Sequence, residues 1–179
     1  LGVATMPQKE LTPDSPTKFV AVYNASDDLK STRRVLEALR EHTNLHIFLE
    51  LDGKKDHKVW SAVEEAKLLD RTTCLQNVAD LRSLIVQTDL VILPSSQMPV
   101  RTVLLEAMES GIPIIATQIR GFDMLVEGET ALIVEDSWEE PLHRILHDDD
   151  LGERLGIAAT TLIATNYGSA AQIAALQAA

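Results

Sequence analysis

Cysteine is nearly absent from this sequence, since Cys74 is the single cysteine among 179 residues. One cysteine excludes an intramolecular disulfide and a cysteine-rich zinc site, and it favours a reducing compartment. Because Cys74 stands in an apolar stretch, we interpret it as a small core residue rather than a reactive thiol. No apolar run approaches the roughly 20 residues of a membrane-spanning helix, and the start lacks a basic-then-apolar signal. We therefore expect a cytoplasmic chain with no transmembrane segment.

Positive charge is also scarce, because 16 Lys and Arg residues stand against 27 Asp and Glu residues, for a formal net charge of −11. Such a chain repels a phosphate backbone unless its cations cluster on one face. Here the cations are scattered in pairs, such as Arg33–Arg34 and Lys54–Lys55, and each pair is near acidic residues. We therefore expect no nucleic-acid partner and no anionic membrane, and a metabolite remains the favoured ligand.

The glycine-rich phosphate-binding motifs are missing. The first predicted strand is followed by the sequence Asn-Ala-Ser-Asp-Asp, and no Gly-x-Gly-x-x-Gly, P-loop or Gly-x-Ser-x-Gly motif occurs in the chain. The acidic residues Asp27, Asp28 and Asp52 resemble the metal pocket of receiver domains. That pocket needs a lysine after the fifth strand, where Thr117 and Gln118 stand. Simple dinucleotide, P-loop, α/β-hydrolase and phosphoacceptor functions are therefore disfavoured.

The chain does contain a regular alternation of strand-like and helix-like segments. A composition of 45% apolar and 24% charged residues supports one domain with a sizeable core. We expect a lead-in over residues 1–16, a Rossmann-like domain over 17–165 and a C-terminal helix over 166–179. The predicted strands are Phe19–Tyr23, Leu45–Leu51, Thr72–Leu75, Leu90–Leu93, Ile112–Ala116 and Ala131–Val134, and the predicted helices between and after them include Leu29–Leu39, Trp60–Leu69, Val78–Val86, Val103–Met108 and Leu142–Leu146.

This alternation predicts an α/β fold, a three-layer sandwich with six mostly parallel strands and helices on both faces. The predicted strand order is 3-2-1-4-5-6. In such sheets ligands bind beyond the carboxyl ends of the strands, where the strand order reverses. The predicted ligand-binding loops are therefore residues 24–30, 76–78, 94–102 and 118–123.

The most informative stretch runs from Pro94 to Pro113 and reads strand, loop, helix, Gly, Pro, strand. A helix that begins near residues 100–102 points its free N–H groups and positive dipole end at the loop, where a diphosphate would bind. Glu106, about one turn further, can accept hydrogen bonds from sugar hydroxyls. Alternatively, Glu106 only favours an early helical turn, while Gly111 and Pro113 end the helix. Spacing alone supports both interpretations equally.

This stretch resembles the signature of the retaining GT-B glycosyltransferases of group 1 (family 4), roughly Pro-Ser, a Glu, seven residues and then Glu-Ala-Met-x-x-Gly-x-Pro. The resemblance extends over nearly the whole chain. It implies the donor-binding half of a hexosyl-type enzyme that binds a nucleotide-diphosphate sugar, without a cofactor or metal. A separate N-terminal domain, in the same enzyme or in another chain, would then bind the acceptor. The isolated half is expected to be inactive.

The resemblance assigns roles to individual residues. Lys30 falls on the lysine that contacts the donor diphosphate, and Glu106 falls on the glutamate that contacts the ribose. Arg101, in the sugar-side loop, either reaches a phosphate or an anionic sugar, or it is solvated. The expected donor-site residues are Lys30, Gln76, Asn77, Val78, Met98, Pro99, Val100, Arg101, Thr102, Val103 and Glu106.

Three positions depart from the family pattern. Ala25 replaces an arginine that contacts the diphosphate, Met98 replaces a glutamate near the reacting carbon, and Met124 replaces a further glutamate. These departures leave an alternative open, a degenerate non-catalytic domain used for scaffolding or subunit contact.

Two polar clusters near the C-terminal end are interpreted as structural. His143 and His147 share a helical face beside Asp148, and solvated histidines are favoured over a metal site. Asp148, Asp149 and Asp150 are interpreted as an N-cap cluster for the following helix.

Overall fold

A computed structural model describes residues 17–23, 25, 28–51, 56–75, 84–96, 101–119 and 122–167. The strands are β1 (Lys18–Val22), β2 (Leu45–Glu50), β3 (Thr72–Leu75), β4 (Leu90–Leu93), β5 (Ile114–Thr117) and β6 (Leu132–Val134). The helices are α1 (Leu29–Arg40), α2 (Asp56–Glu65), α3 (Arg101–Glu109), α4 (Glu139–His147) and α5 (Asp149–Tyr167), with a 3-10 turn at Leu69–Arg71.

The six strands form one sheet in the order β3-β2-β1-β4-β5-β6. All neighbouring strands pair in parallel, and Val20 of β1, for example, lies between Ile47 of β2 and Leu90 of β4. The predicted fold class and the predicted strand order are both confirmed.

Helices cover both faces of the sheet. Alternate residues of β1 face opposite sides, so that Val20 packs with α1, α2 and α4, whereas Ala21 packs with α3 and α5. The central strand β4 is buried along its whole length, which explains its uninterrupted Leu-Val-Ile-Leu sequence. Within the described ranges, no helix is both long and apolar enough to cross a membrane.

Helix boundaries differ from the predicted ones where an apolar residue faces solvent. Helix α2 runs over Asp56–Glu65 and not over Trp60–Leu69, and Trp60 is 38% exposed. Trp60 therefore lies in the middle of α2 rather than at its start, and its side chain is not on the buried face of the helix. The N-cap prediction for Asp148 is confirmed, since Asp148 Oδ1 accepts a hydrogen bond of 2.9 Å from the Leu151 N–H at the start of α5.

Candidate functional site at the carboxyl edge of the sheet

The strand order reverses between β1 and β4, so the carboxyl ends of these two strands are the switch point of the sheet, where open parallel sheets form their ligand-binding crevice. The chain leaves β1 for α1 on one face of the sheet, whereas it leaves β4 for α3 on the other face. The helices that follow β1 and β4 therefore diverge to opposite faces at this point. Ligands of open parallel sheets bind at such a switch point.

Hydrogen bonds fix the start of α1 on one side of this crevice. The carboxylate of Asp28 accepts bonds from the Ser31 N–H at 3.1 Å and from the Ser31 hydroxyl at 2.9 Å. The buried Thr32 hydroxyl donates to the Ala25 carbonyl at 2.8 Å, which ties the helix to the preceding turn. Lys30, the second residue of α1, is exposed in this anchored first turn.

The start of α3 lies on the other side of the crevice. β4 is followed by Pro94 and by Ser95, whose side chain is buried, and the Thr117 hydroxyl of β5 donates to the Pro94 carbonyl at 3.5 Å. Helix α3 begins at Arg101, as the sequence predicts, with Thr102 exposed and Val103 buried. The first N–H groups of α3 therefore stand at the same edge of the sheet as Lys30.

Glu106 lies one turn into α3. Its side chain is half-buried, and the Oε2 atom of the carboxylate is buried. A carboxylate that is partly withdrawn from water forms stronger hydrogen bonds than a fully solvated one. Lys30 and Glu106 thus flank the switch point from the two faces of the sheet.

Sequence reasoning did not identify Tyr23, which follows β1 at the carboxyl edge. Tyr23 is 1% exposed, and its hydroxyl finds no hydrogen-bond partner among the described residues. Burial, together with the nearby carboxylate of Glu50, raises the pKa of this phenol above its ordinary value. No sequence signal distinguishes such a tyrosine from an ordinary core aromatic at a strand end.

Two of the departures from the family pattern make apolar contacts with the core. Ala25 is completely buried, and Met124 packs against the apolar cluster under α3 and α5. Neither position presents a charged group to the crevice. The predicted site residues Gln76, Asn77, Val78, Met98, Pro99 and Val100, and the side chain of Arg101, lie outside the described residues.

Comparison with known proteins identifies the family. The profile of the family described as "Glycosyl transferases group 1" matches residues 19–148, which is more than half of the chain. A D-inositol 3-phosphate glycosyltransferase of Paenarthrobacter aurescens is 30% identical over 118 residues, covering 62% of this chain and 29% of that protein. Its counterpart in Corynebacterium diphtheriae is 32% identical over 85 residues, covering 45% of this chain and 20% of that protein. The chain therefore spans less than a third of these curated relatives.

Solved structures of the same fold include whole glycosyltransferases and a separate domain. The C-terminal domain of a group 1 glycosyl transferase, LpcC of Francisella tularensis, superposes with a TM-score of 0.71 at 20% identity, covering 85% of this chain and 87% of that one. HepE of Anabaena, solved with UDP and glucose, superposes with a TM-score of 0.72 at 20% identity, covering 90% of this chain and 48% of that one.

Proposed function

Because this chain belongs to the glycosyl transferases of group 1, we propose that it is the donor-binding domain of a glycosyltransferase that transfers a sugar with retention. Its ligand would be a nucleotide-diphosphate sugar, and an N-terminal domain or a separate chain would bind the acceptor. The observation that carries this proposal is the switch point between β1 and β4, where α1 with Lys30 lies on one face of the sheet and α3 with Glu106 on the other.

In this proposal the diphosphate lies between the starts of α1 and α3. The ammonium group of Lys30 and the free N–H groups of α3 would stabilise the negative charge that develops on the leaving diphosphate. Arg101, the first residue of α3, would add a second cation to the same phosphates. Residues 76–78 and 98–100 would complete the walls of the donor site.

Glu106 would hold the ribose of the donor. Its half-buried carboxylate can accept hydrogen bonds from two vicinal hydroxyls. Uridine diphosphate is a suitable probe, because HepE of Anabaena was solved with UDP and has the same fold.

A second candidate function, a scaffolding domain that no longer binds its donor, is favoured by the apolar packing of two positions. Ala25 and Met124 stand where the family carries an arginine and a glutamate; Ala25 is buried in the core, and Met124 is half-buried against it. Each lost charge-assisted contact costs about 1–3 kcal/mol of binding free energy. The two candidates therefore differ in whether the nucleotide part of the site survives.

Calorimetric titration of the 179-residue chain with UDP distinguishes the two functions. We expect a dissociation constant of about 0.1–1 mM, on the scale where 1 mM corresponds to about 4 kcal/mol. Glu106→Ala should weaken binding by about 1–3 kcal/mol, as expected for loss of hydrogen bonds to a charged group. Glu109→Ala is the matched control, because Glu109 lies on the same helix and is exposed. An absence of heat and of competition at several millimolar UDP would favour the scaffolding function.

A further inference from the structure

Three of the five histidines meet at the amino edge of the sheet, opposite the candidate donor site. His42 follows the end of α1, whereas His143 and His147 lie one turn apart on α4. The rings of His143 and His147 are stacked, with centroids 4.4 Å apart and planes 18° from parallel. The ring of His42 lies 5.4 Å from that of His147 and 6.4 Å from that of His143. The three imidazoles therefore form one cluster, the histidine cluster, which joins α1 to α4.

The histidine cluster lines a surface cavity of about 500 Å³ together with Ala38, Glu41, Glu139 and Glu140. Water and protons therefore reach it. Its polar contacts are local, since His147 Nδ1 lies 2.9 Å from the carbonyl oxygen of His143. No group of three His, Cys, Asp or Glu side chains in the described ranges is arranged to hold a metal ion. The ligand that fits this cluster is the proton.

Charged groups face the cluster from every element that packs around it. Glu41 ends α1 beside His42, and Glu139 and Glu140 lie in the first turn of α4. The guanidinium of Arg71, in the 3-10 turn, donates hydrogen bonds to the carbonyls of His42 and Arg40. Lys18 of β1 lines the adjoining cavity with His42 and His147. At His42, the carboxylate of Glu41 favours protonation, whereas the guanidinium of Arg71 opposes it.

Neutral imidazoles stack favourably, but imidazolium rings at these separations repel one another. A proton on one ring therefore hinders protonation of the other two. Glu41 already pairs with Arg40, and Glu140 with Arg144. Because these carboxylates and Glu139 are also exposed to solvent, they offset only part of this repulsion.

We propose that His42, His143 and His147 form a proton-sensitive contact, which holds the end of α1 against α4 at neutral pH and loosens that contact in mild acid. The folded chain then binds fewer protons than the unfolded chain as the pH falls through the histidine range. Its stability is therefore fully present above the ordinary histidine pKa, near 6.5, and is lost as the pH falls below that value. Burial, and then the neighbouring His147 and His143, lower the pKa of His42, in agreement with this direction.

Urea unfolding of the full chain at pH 7.5 and at pH 5.5 tests the proposal. A difference of one pKa unit between folded and unfolded states changes the unfolding equilibrium constant about tenfold, which sets the scale of the expected effect. We expect this constant to rise on acidification, and to rise clearly less in the His143→Gln/His147→Gln double variant. His57→Gln is the matched control, because His57 is exposed on α2 outside the cluster, and it should behave as the wild type.

His46 also has a pKa lowered by burial, but it is retained in every variant, so its contribution cancels in the comparison. An unchanged rise in the double variant would overturn the proposal. Titration of the histidine ring protons in the wild-type chain by NMR gives an answer even where the double variant fails to fold. The His42 imidazole should titrate below the ordinary histidine value near 6.5, because burial and the neighbouring His147 and His143 lower its pKa. A His42 titration at or above that value would equally overturn the proposal.

Discussion

The carbonyl oxygen of Gly111 stands where the Cβ of any other residue at position 156 would be placed. Gly111, in the turn after α3, has a φ of +69°, and Gly156 lies in the middle of α5. The two segments approach closely at this point, and the Thr160 hydroxyl of α5 donates to the Met108 carbonyl of α3 at 3.1 Å. This contact fixes α3, the helix that carries Glu106.

Gly156→Ala should therefore destabilise the chain. The new methyl group overlaps backbone, which cannot rotate away as a side chain can, and overpacking of this kind costs about 1–3 kcal/mol. Gly152→Ala is the matched control on the same helix, because its Cβ would meet only Pro113 and Ile145, at 3.7 and 3.9 Å. The helix propensity of alanine makes that control neutral or stabilising by up to about 1 kcal/mol. Urea unfolding measures both, and equal stability of the two variants would contradict the expectation.

Removal of the carboxylate that caps α1 should weaken both the fold and nucleotide binding. Asp28→Ala leaves the Ser31 N–H without its acceptor, at a cost of about 0.5–2 kcal/mol of stability. Because Lys30 lies in the same first turn, we also expect weaker binding of UDP. Asp148→Ala removes an equivalent cap from α5, far from the crevice. It should lower stability by a similar amount without changing UDP affinity, as calorimetry would report.

Cys74 should resist thiol reagents in the folded chain. Burial, and to a lesser extent the charge of Asp56, raise the pKa of its thiol to about 12. The thiolate is the reactive form, so almost none is present at pH 8. Labelling with a chromogenic disulfide should be slow in buffer and complete within minutes in concentrated urea. Rapid labelling of the native chain would show that the thiol is accessible.

The 179-residue chain alone should not transfer sugar. In many enzymes domain closure assembles the active site and excludes water, and the proposed function gives this chain the donor site alone. A radiolabelled nucleotide-sugar assay with mixed acceptors checks this expectation.

Met98→Glu should add a preference for UDP-glucose over UDP, because it restores the glutamate that the family places near the donor sugar. The Gln97→Glu variant, one residue away, serves as its control.

The sequence alone was sufficient for the layered fold. A strand buried on both faces needs an uninterrupted apolar run, and the run Leu90–Leu93 gives the observed bounds of β4. The edge strand β3 also has its predicted bounds, Thr72–Leu75, although only Thr72 in it is buried. The helix boundaries were predicted less well at α2, because helix ends depend on caps and on packing, and an exposed Trp60 resembles a buried one in sequence.

The candidate site was likewise predicted only in part from the sequence. The spacing of Pro94, Glu106 and Gly111 is local along the chain, so the sequence determined that a helix with an early glutamate follows β4. The predicted strand order, with right-handed crossovers, also places α1 and α3 on opposite faces of the sheet, as observed. Only the tertiary structure showed the burial of the Tyr23 phenol, the meeting of His42 with α4 and the close approach of Gly111 to Gly156, which join elements far apart in sequence. No periodicity encodes such contacts, because they depend on how whole elements pack against one another.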